Sequence, residues 1–185
     1  ANAPSKNPPK WERFWNAPYN VAGAFVADQA RRLALYPAAD TGGFQSNPDT
    51  RYLFAGTSMN FGEVLVVTGK KPVTPPTYHH ERTWPETPWQ VRYWSICTAS
   101  APTSGIGYDC AWDEVVPTDA NGFYHIVISR PENRPANATT RCGNYWMDFG
   151  QGENYPSPNA RPNVGVVYMR FMAANPDWEQ APQKV

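Results

Sequence analysis

The stretch from Gln90 to Ser129 constrains the fold more than any other part of the chain. Its opening run, Gln90-Val91-Arg92-Tyr93-Trp94-Ser95-Ile96-Cys97, is rich in β-branched and aromatic side chains. Such residues suit a pleated, half-buried surface. Side chains alternate along a strand, so Val91, Tyr93, Ser95 and Cys97 share one face while Arg92, Trp94 and Ile96 share the other. Neither face is purely polar, which predicts an inner strand covered on both sides. A loop of small residues, Thr98 to Gly107, then leads to Cys110. A Cys97–Cys110 bridge would staple that loop and contribute roughly 3 kcal/mol in a chain-entropy description. The alternative is two unpaired buried thiols, and the choice depends on redox compartment. Ala111 to Val116 follows, then Pro117-Thr118-Asp119-Ala120-Asn121-Gly122, then Phe123 to Ser129. Asn-Gly between apolar runs predicts a hairpin turn, because both residues tolerate positive φ. The same residues look like the start of a calcium loop, but the later ligands and closing glutamate are missing, so the turn is preferred.

Proline content argues that most of the rest of the chain is also strand and loop. There are 20 prolines in 185 residues, about twice the usual 5%, and helices tolerate them poorly. With 8 Trp, 10 Tyr and 8 Phe, the chain is too aromatic for disorder. Its length fits one domain with a substantial core. The formal net charge is zero, which removes the electrostatic footprint of nucleic-acid binding. No apolar run is long enough to span a membrane. Of three cysteines, Cys142 is left over if the other two pair. The sequence begins Ala-Asn-Ala-Pro-Ser, a small-residue start typical of a processed, exported product. Asn137-Ala138-Thr139 is a glycosylation sequon, meaningful only in a host that glycosylates.

Taken in order, residues 1–15 read as an extended, proline-bearing arm ahead of a single domain, 16–185. The arm ends in Trp11, Phe14 and Trp15. Aromatics of that size must dock, on their own domain or on a partner chain. Asn16-Ala17-Pro18 looks like a helix start. Ala22, Val26, Ala30 and Leu33 then fall at helical spacing, predicting one packing helix over 17–35. Strands are expected at 51–56 and 62–69, with Val64-Leu65-Val66-Val67 in the core. Pro72 to Pro88 is a long loop with five prolines. Its His79-His80-Glu81 invites a metal reading, but neighbours on an extended chain point opposite ways and zinc needs three or four converging ligands. A solvated polar loop is preferred, and no metal or cofactor is assigned. Further strands are expected at 143–149 and 163–172, the latter followed by a turn or short helix at Asn175-Pro176-Asp177-Trp178.

Several separated motifs carry a resemblance. Lys10-Trp11-Glu12-Arg13-Phe14, Asn47-Pro48-Asp49-Thr50-Arg51-Tyr52, Arg92-Tyr93-Trp94-Ser95-Ile96-Cys97 and Arg130-Pro131-Glu132-Asn133-Arg134-Pro135-Ala136-Asn137 resemble a family of uncharacterised secreted bacterial proteins, akin to the DUF1214 part of the DUF1254/DUF1214 proteins. The resemblance implies a mainly β protein, an antiparallel β-sandwich of jelly-roll type, and export from the cytoplasm. It also implies a longer chain, with a further β-rich half before this region. On that expectation this chain is a short member, a processed product or a fragment. No reaction comes with the resemblance, so no catalytic residue does.

The residues offer three functional readings. First is a secreted, non-catalytic structural or interaction module, a subunit whose partner is another protein chain, itself or the missing N-terminal half. Trp11, Phe14 and Trp15 are its candidate partner-binding residues. Second is a carbohydrate or small-ligand module stacking its ligand on Trp84, Trp89, Trp112, Trp146 or Trp178. Third is a hydrolase using Asp109, Asp113 and Glu114, since paired acids on a β-sandwich can hydrolyse glycosides. No Gly-x-Ser-x-Gly elbow or phosphate loop is present. Arg92 and Arg170 lie on expected strands and need partners, for which Asp113 or Glu114 are candidates.

Overall fold

The computed structural model describes residues 10–16, 18–19, 31, 34–36, 47, 49–78, 88–100, 105–153, 155–182 and 184. It is mainly β. The strands are β1 (Glu12–Arg13), β2 (Thr50–Ser58), β3 (Val64–Lys70), β4 (Val91–Ala99), β5 (Gly107–Trp112), β6 (Phe123–Ser129), β7 (Tyr145–Asp148) and β8 (Val164–Ala174). They form a five-stranded sheet ordered β1-β2-β8-β4-β5 and a three-stranded sheet ordered β3-β6-β7. The helix expected over 17–35 falls almost wholly outside the described residues, as do His79, His80, Glu81 and Trp84. Among the described residues no helix is long and apolar enough to cross a membrane.

The larger sheet is antiparallel throughout, with β8 paired to both β2 and β4. Register places Phe171, Met169 and Val167 opposite Trp94, Ile96 and Thr98. These residues share the inward face, and Trp94 and Ile96 are fully buried. The smaller sheet meets them with Tyr124, Ile126, Ile128 and Met147. Tyr124 lies against Trp94, ring centroids 5.2 Å apart, and its burial pushes the phenol pKa up to about 12. Gly69 makes room for it, since a Cβ there would come 2.5 Å from the Tyr124 hydroxyl.

β4 is buried on both faces, as its mixed composition predicts. Its outward residues Ser95 and Cys97 are as buried as the inward ones. Cover for this outer face of the sheet comes in part from the N-terminal residues. Phe14 is buried against Tyr52 and Phe54, its N–H donates to Tyr52 O at 2.9 Å, and β1 adds to the sheet edge at β2. The aromatic end of the arm thus docks on its own sheet.

Three expectations need correction. The smaller sheet is mixed, because β6 and β7 run parallel. A parallel pair needs a crossover of about a dozen residues or more, and residues 130–144, with their 3₁₀ turns at Pro131–Asn133 and Thr140–Cys142, supply one. Secondly, the Asn121-Gly122 turn forms, with Gly122 at φ 80° and Asp119 Oδ1 accepting the N–H groups of Asn121 and Phe123, but it closes no hairpin. β5 ends at Trp112 and belongs to the larger sheet, whereas β6 belongs to the smaller. Residues 113–122 carry the chain across the sandwich. Thirdly, Arg170 finds no acidic partner at Asp113 or Glu114. Arg170 lies opposite Ser95 on the outward face and its buried Nε has no hydrogen-bond partner among the described residues, while both acids are engaged elsewhere.

Cys97 and Cys110 are bonded and lie directly opposite each other on β4 and β5. Cys142 is free and exposed. The bridge closes the loop between two neighbouring strands and so restricts the unfolded chain. Replacing both residues by alanine in a Cys142→Ser background should lower the unfolding free energy by about 3 kcal/mol, read by urea denaturation. An unchanged midpoint would show that the bridge does not stabilise the sheet.

Candidate functional site

Three strands cannot cover five. On the β1–β2 side, the described residues leave part of the larger sheet's inward face open, and a groove of about 250 Å³ runs there. Its floor is Ala55, Thr57, Val167 and Ile128, Trp11 stands at its wall, and its other side is four consecutive residues of β3, Leu65 to Thr68. Successive strand residues point to opposite faces. Four in a row can line one groove only where that groove follows the strand's edge. Among the described residues β3 pairs with β6 alone, so its other edge presents N–H and C=O groups with no strand beside them. Val66 projects outward, 61% exposed, and Trp11 is 41% exposed. Thr57 Oγ1 is buried in the same region without a hydrogen-bond partner among the described residues. Charges occur only at the ends of the edge, at Glu63 and at Lys70-Lys71. Sequence patterning placed Val64 to Val67 in the core; only Leu65 and Val67 turn inward.

A second concavity is polar. Residues 71–78 fold over the turn after β5 and enclose a cleft of about 600 Å³, lined by Lys71, Thr74, Tyr78, Asp113, Glu114 and Thr118 among others. Asp113 is 2% exposed. Burial pushes its carboxyl above the usual range and Glu114 adds to this, while a hydrogen bond with Thr74 and the charge of Lys71 pull it back. Burial likewise lowers Lys71, against the attraction of Asp113 and Glu114. Lys71 Nζ donates to Val116 O at 3.4 Å. Glu114 Oε1 accepts the N–H groups of Thr77 and Tyr78 at 2.9 and 2.8 Å, and so clamps the loop onto the turn. The third acid expected with them, Asp109, is instead bonded to the backbone N–H groups of Cys110 and Asp148, where it ties β5 to β7. The three carboxylates therefore do not form one acid–base set. Nothing in the sequence marked Lys71 or Thr74, because both enter the cleft only through the course of the loop.

The tryptophans separate into different roles. Trp89 and Trp178 line one further cleft of about 410 Å³. Trp112 sits beside Tyr78, ring centroids 6.2 Å apart. Trp146 donates from Nε1 to Ser129 Oγ at 2.9 Å and is capped by the Arg134 guanidinium 4.4 Å from its ring, which makes it a wall of the smaller sheet. Phe14 is buried, Trp15 is half-buried with the Arg13 guanidinium 4.0 Å from its ring, and only Trp11 of the three arm aromatics faces the groove.

No family model and no curated protein matches the chain. Among solved structures, it is similar to an uncharacterized protein from Burkholderia cenocepacia, at 19% identity and a TM-score of 0.40, over 72% of this chain and 27% of that one. It is also similar to the VPA0106 protein from Vibrio parahaemolyticus, at 14% identity and a TM-score of 0.41, over 79% of this chain and 30% of that one. The chain thus spans less than a third of the length of either.

The charged cleft yields a pH prediction. Asp113 has a folded pKa raised above its ordinary value of 3.8, so its contribution to stability is complete below that value and is lost as pH rises through the folded pKa. Asp113→Asn should therefore gain stability relative to the parent from pH 3.8 upward. In a carboxyl NMR titration, Thr74→Val should raise the Asp113 pKa further, and Lys71→Met should raise it by less. A fall in either variant would break this assignment of causes.

Proposed function

We propose that the chain is a non-catalytic interaction module of an extracytoplasmic assembly, and that it joins a second copy of itself edge to edge through β3. One observation carries the reading: the groove follows the backbone edge of β3, so its natural occupant is another strand. An antiparallel copy of β3 centred on Val67 sets Val66 opposite Thr68, Leu65 opposite Gly69 and Glu63 opposite Lys71. No like charges face each other in this register. The inward residues of the added strand, Leu65 and Val67, then meet the groove beside Trp11. A net charge of zero leaves no overall repulsion between copies.

Three finer points belong to the same proposal. The disulfide supports an oxidising, extracytoplasmic compartment. The resemblance to the DUF1254/DUF1214 proteins supports export and jelly-roll winding. Helical spacing supports a packing helix over 17–35.

Sedimentation equilibrium tests the pairing. The chain should be dimeric at micromolar concentration. Val66→Lys should shift it to monomer, since lysine on an edge strand opposes pairing, and the melting temperature at low concentration should stay the same because Val66 points outward. A strictly monomeric parent, or a dimer indifferent to Val66→Lys and Thr68→Lys, would overturn the proposal.

A further inference from the structure

The cleft between Trp89 and Trp178 shares no residue with the β3 edge. It is lined by Trp89, Gln90, Asn175, Asp177, Trp178, Glu179 and Gln180, and holds about 410 Å³. That volume lies within the range of about 300–1,000 Å³ usual for small-molecule sites. We infer that this cleft binds a neutral carbohydrate.

Its composition selects the ligand class. Indole rings present flat apolar faces with a polar N–H at the rim, and the C–H face of a pyranose is flat and apolar too. Around the two rings stand three carboxamides, Gln90, Asn175 and Gln180, and two carboxylates, Asp177 and Glu179. Carboxamides both donate and accept, and carboxylates accept from two hydroxyls at once, which is the set that vicinal hydroxyls need. Among the described residues no lysine or arginine lines the cleft. Phosphate, sulfate and uronate ligands would therefore meet uncompensated negative charge at Asp177. Glu179 is offset by Lys184, whose Nζ lies 3.0 Å from its Oε1.

The cleft is also held in shape before any ligand arrives. Asn175 connects both tryptophans: its Nδ2 donates to Trp89 O at 3.0 Å and its carbonyl accepts the Trp178 N–H at 3.0 Å. Its side-chain oxygen accepts the Asp177 N–H at 2.9 Å, and its own N–H donates to Gln90 O at 2.7 Å. Gln90 Oε1 accepts from Val73 N–H, which leaves its NH₂ as the donor for a ligand. Trp178 packs on Phe171 of the core, ring centroids 6.1 Å apart. Ordering costs are thus met by the fold rather than by binding. Trp178 Nε1 is buried with no acceptor among the described residues, and a ligand hydroxyl reaching the cleft wall would supply one.

Tryptophan fluorescence and saturation-transfer NMR on the whole chain would test this, using cello-, xylo-, malto- and chito-oligosaccharides, with polygalacturonate fragments as the anionic comparison. At least one neutral series should give saturable binding. Trp89→Ala should weaken it about tenfold or more, as loss of an aromatic anchor does. Gln180→Ala should weaken it less, and Trp146→Ala should leave it unchanged. Trp178→Ala removes a core contact and can unfold the chain, so Gln180→Ala and Asp177→Asn serve as surface variants, with melting curves to confirm folding. Absence of binding across the neutral series, stronger binding of polygalacturonate, or binding that survives both Trp89→Ala and Gln180→Ala would overturn the inference.

Discussion

Everything in the larger sheet hangs on β8 being hydrogen-bonded along both sides, to β2 from Thr50 to Ser58 and to β4 from Val91 to Ala99. Backbone groups of a strand in this position have no water to turn to, so each must find its partner in a neighbouring strand. Slipping the register by one residue would turn Phe171, Met169 and Val167 out of the core and Arg170 and Tyr168 into it. That penalty is what sets Trp94 against Phe171 and Ile96 against Met169. It reaches the remoter features too. Cys97 meets Cys110 because β4 has a defined place beside β5, and Asn175 reaches Trp89 because it directly follows Ala174, the end of β8 and the partner of Val91.

The unequal width of the two sheets follows from where the chain crosses the sandwich. β2 and β3 are close in sequence yet fall in different sheets, joined by the 3₁₀ turn Met59–Phe61. β5 and β6 are likewise split by residues 113–122. Each crossing leaves an edge. β3 has no strand on its outer side among the described residues, whereas the β2 edge of the larger sheet is covered by β1. An edge strand with exposed Val66 and few charges lacks the usual protections against pairing. The groove beside it, with Trp11 at the wall and Thr57 at the floor, is the corresponding gap among the described residues.

Polar groups inside this molecule mostly fasten segments together. Glu114 holds the 71–78 loop by two backbone N–H groups. Asp109 bonds to Asp148 N–H, and Thr98 Oγ1 donates to Asp148 O at 2.6 Å, so β4, β5 and β7 meet at one polar seam. Asp113 and Lys71 differ in that burial opposes the charge on both. Removing Lys71 would leave Asp113 in a half-dry cleft with less to offset its desolvation.

Much of the architecture was legible in the residues alone. The mixed faces of Val91 to Cys97 announced a strand covered on both sides, because a strand facing water alternates apolar with polar side chains. Proline content ruled out a helical fold, Asn121-Gly122 marked a turn, and the spacing of Cys97 and Cys110 allowed the bridge that forms. These are local properties, set by backbone sterics and side-chain type. Tertiary structure decided the rest: which sheet each strand joins, that β6 and β7 run parallel, that Asp109 parts from Asp113, that Trp146 is a wall while Trp89 and Trp178 share a cleft, and that the edge of β3 lies open. Pairing partners and clefts depend on segments far apart in the chain meeting in space. No pattern of neighbouring residues encodes which of several compatible strands will arrive beside another.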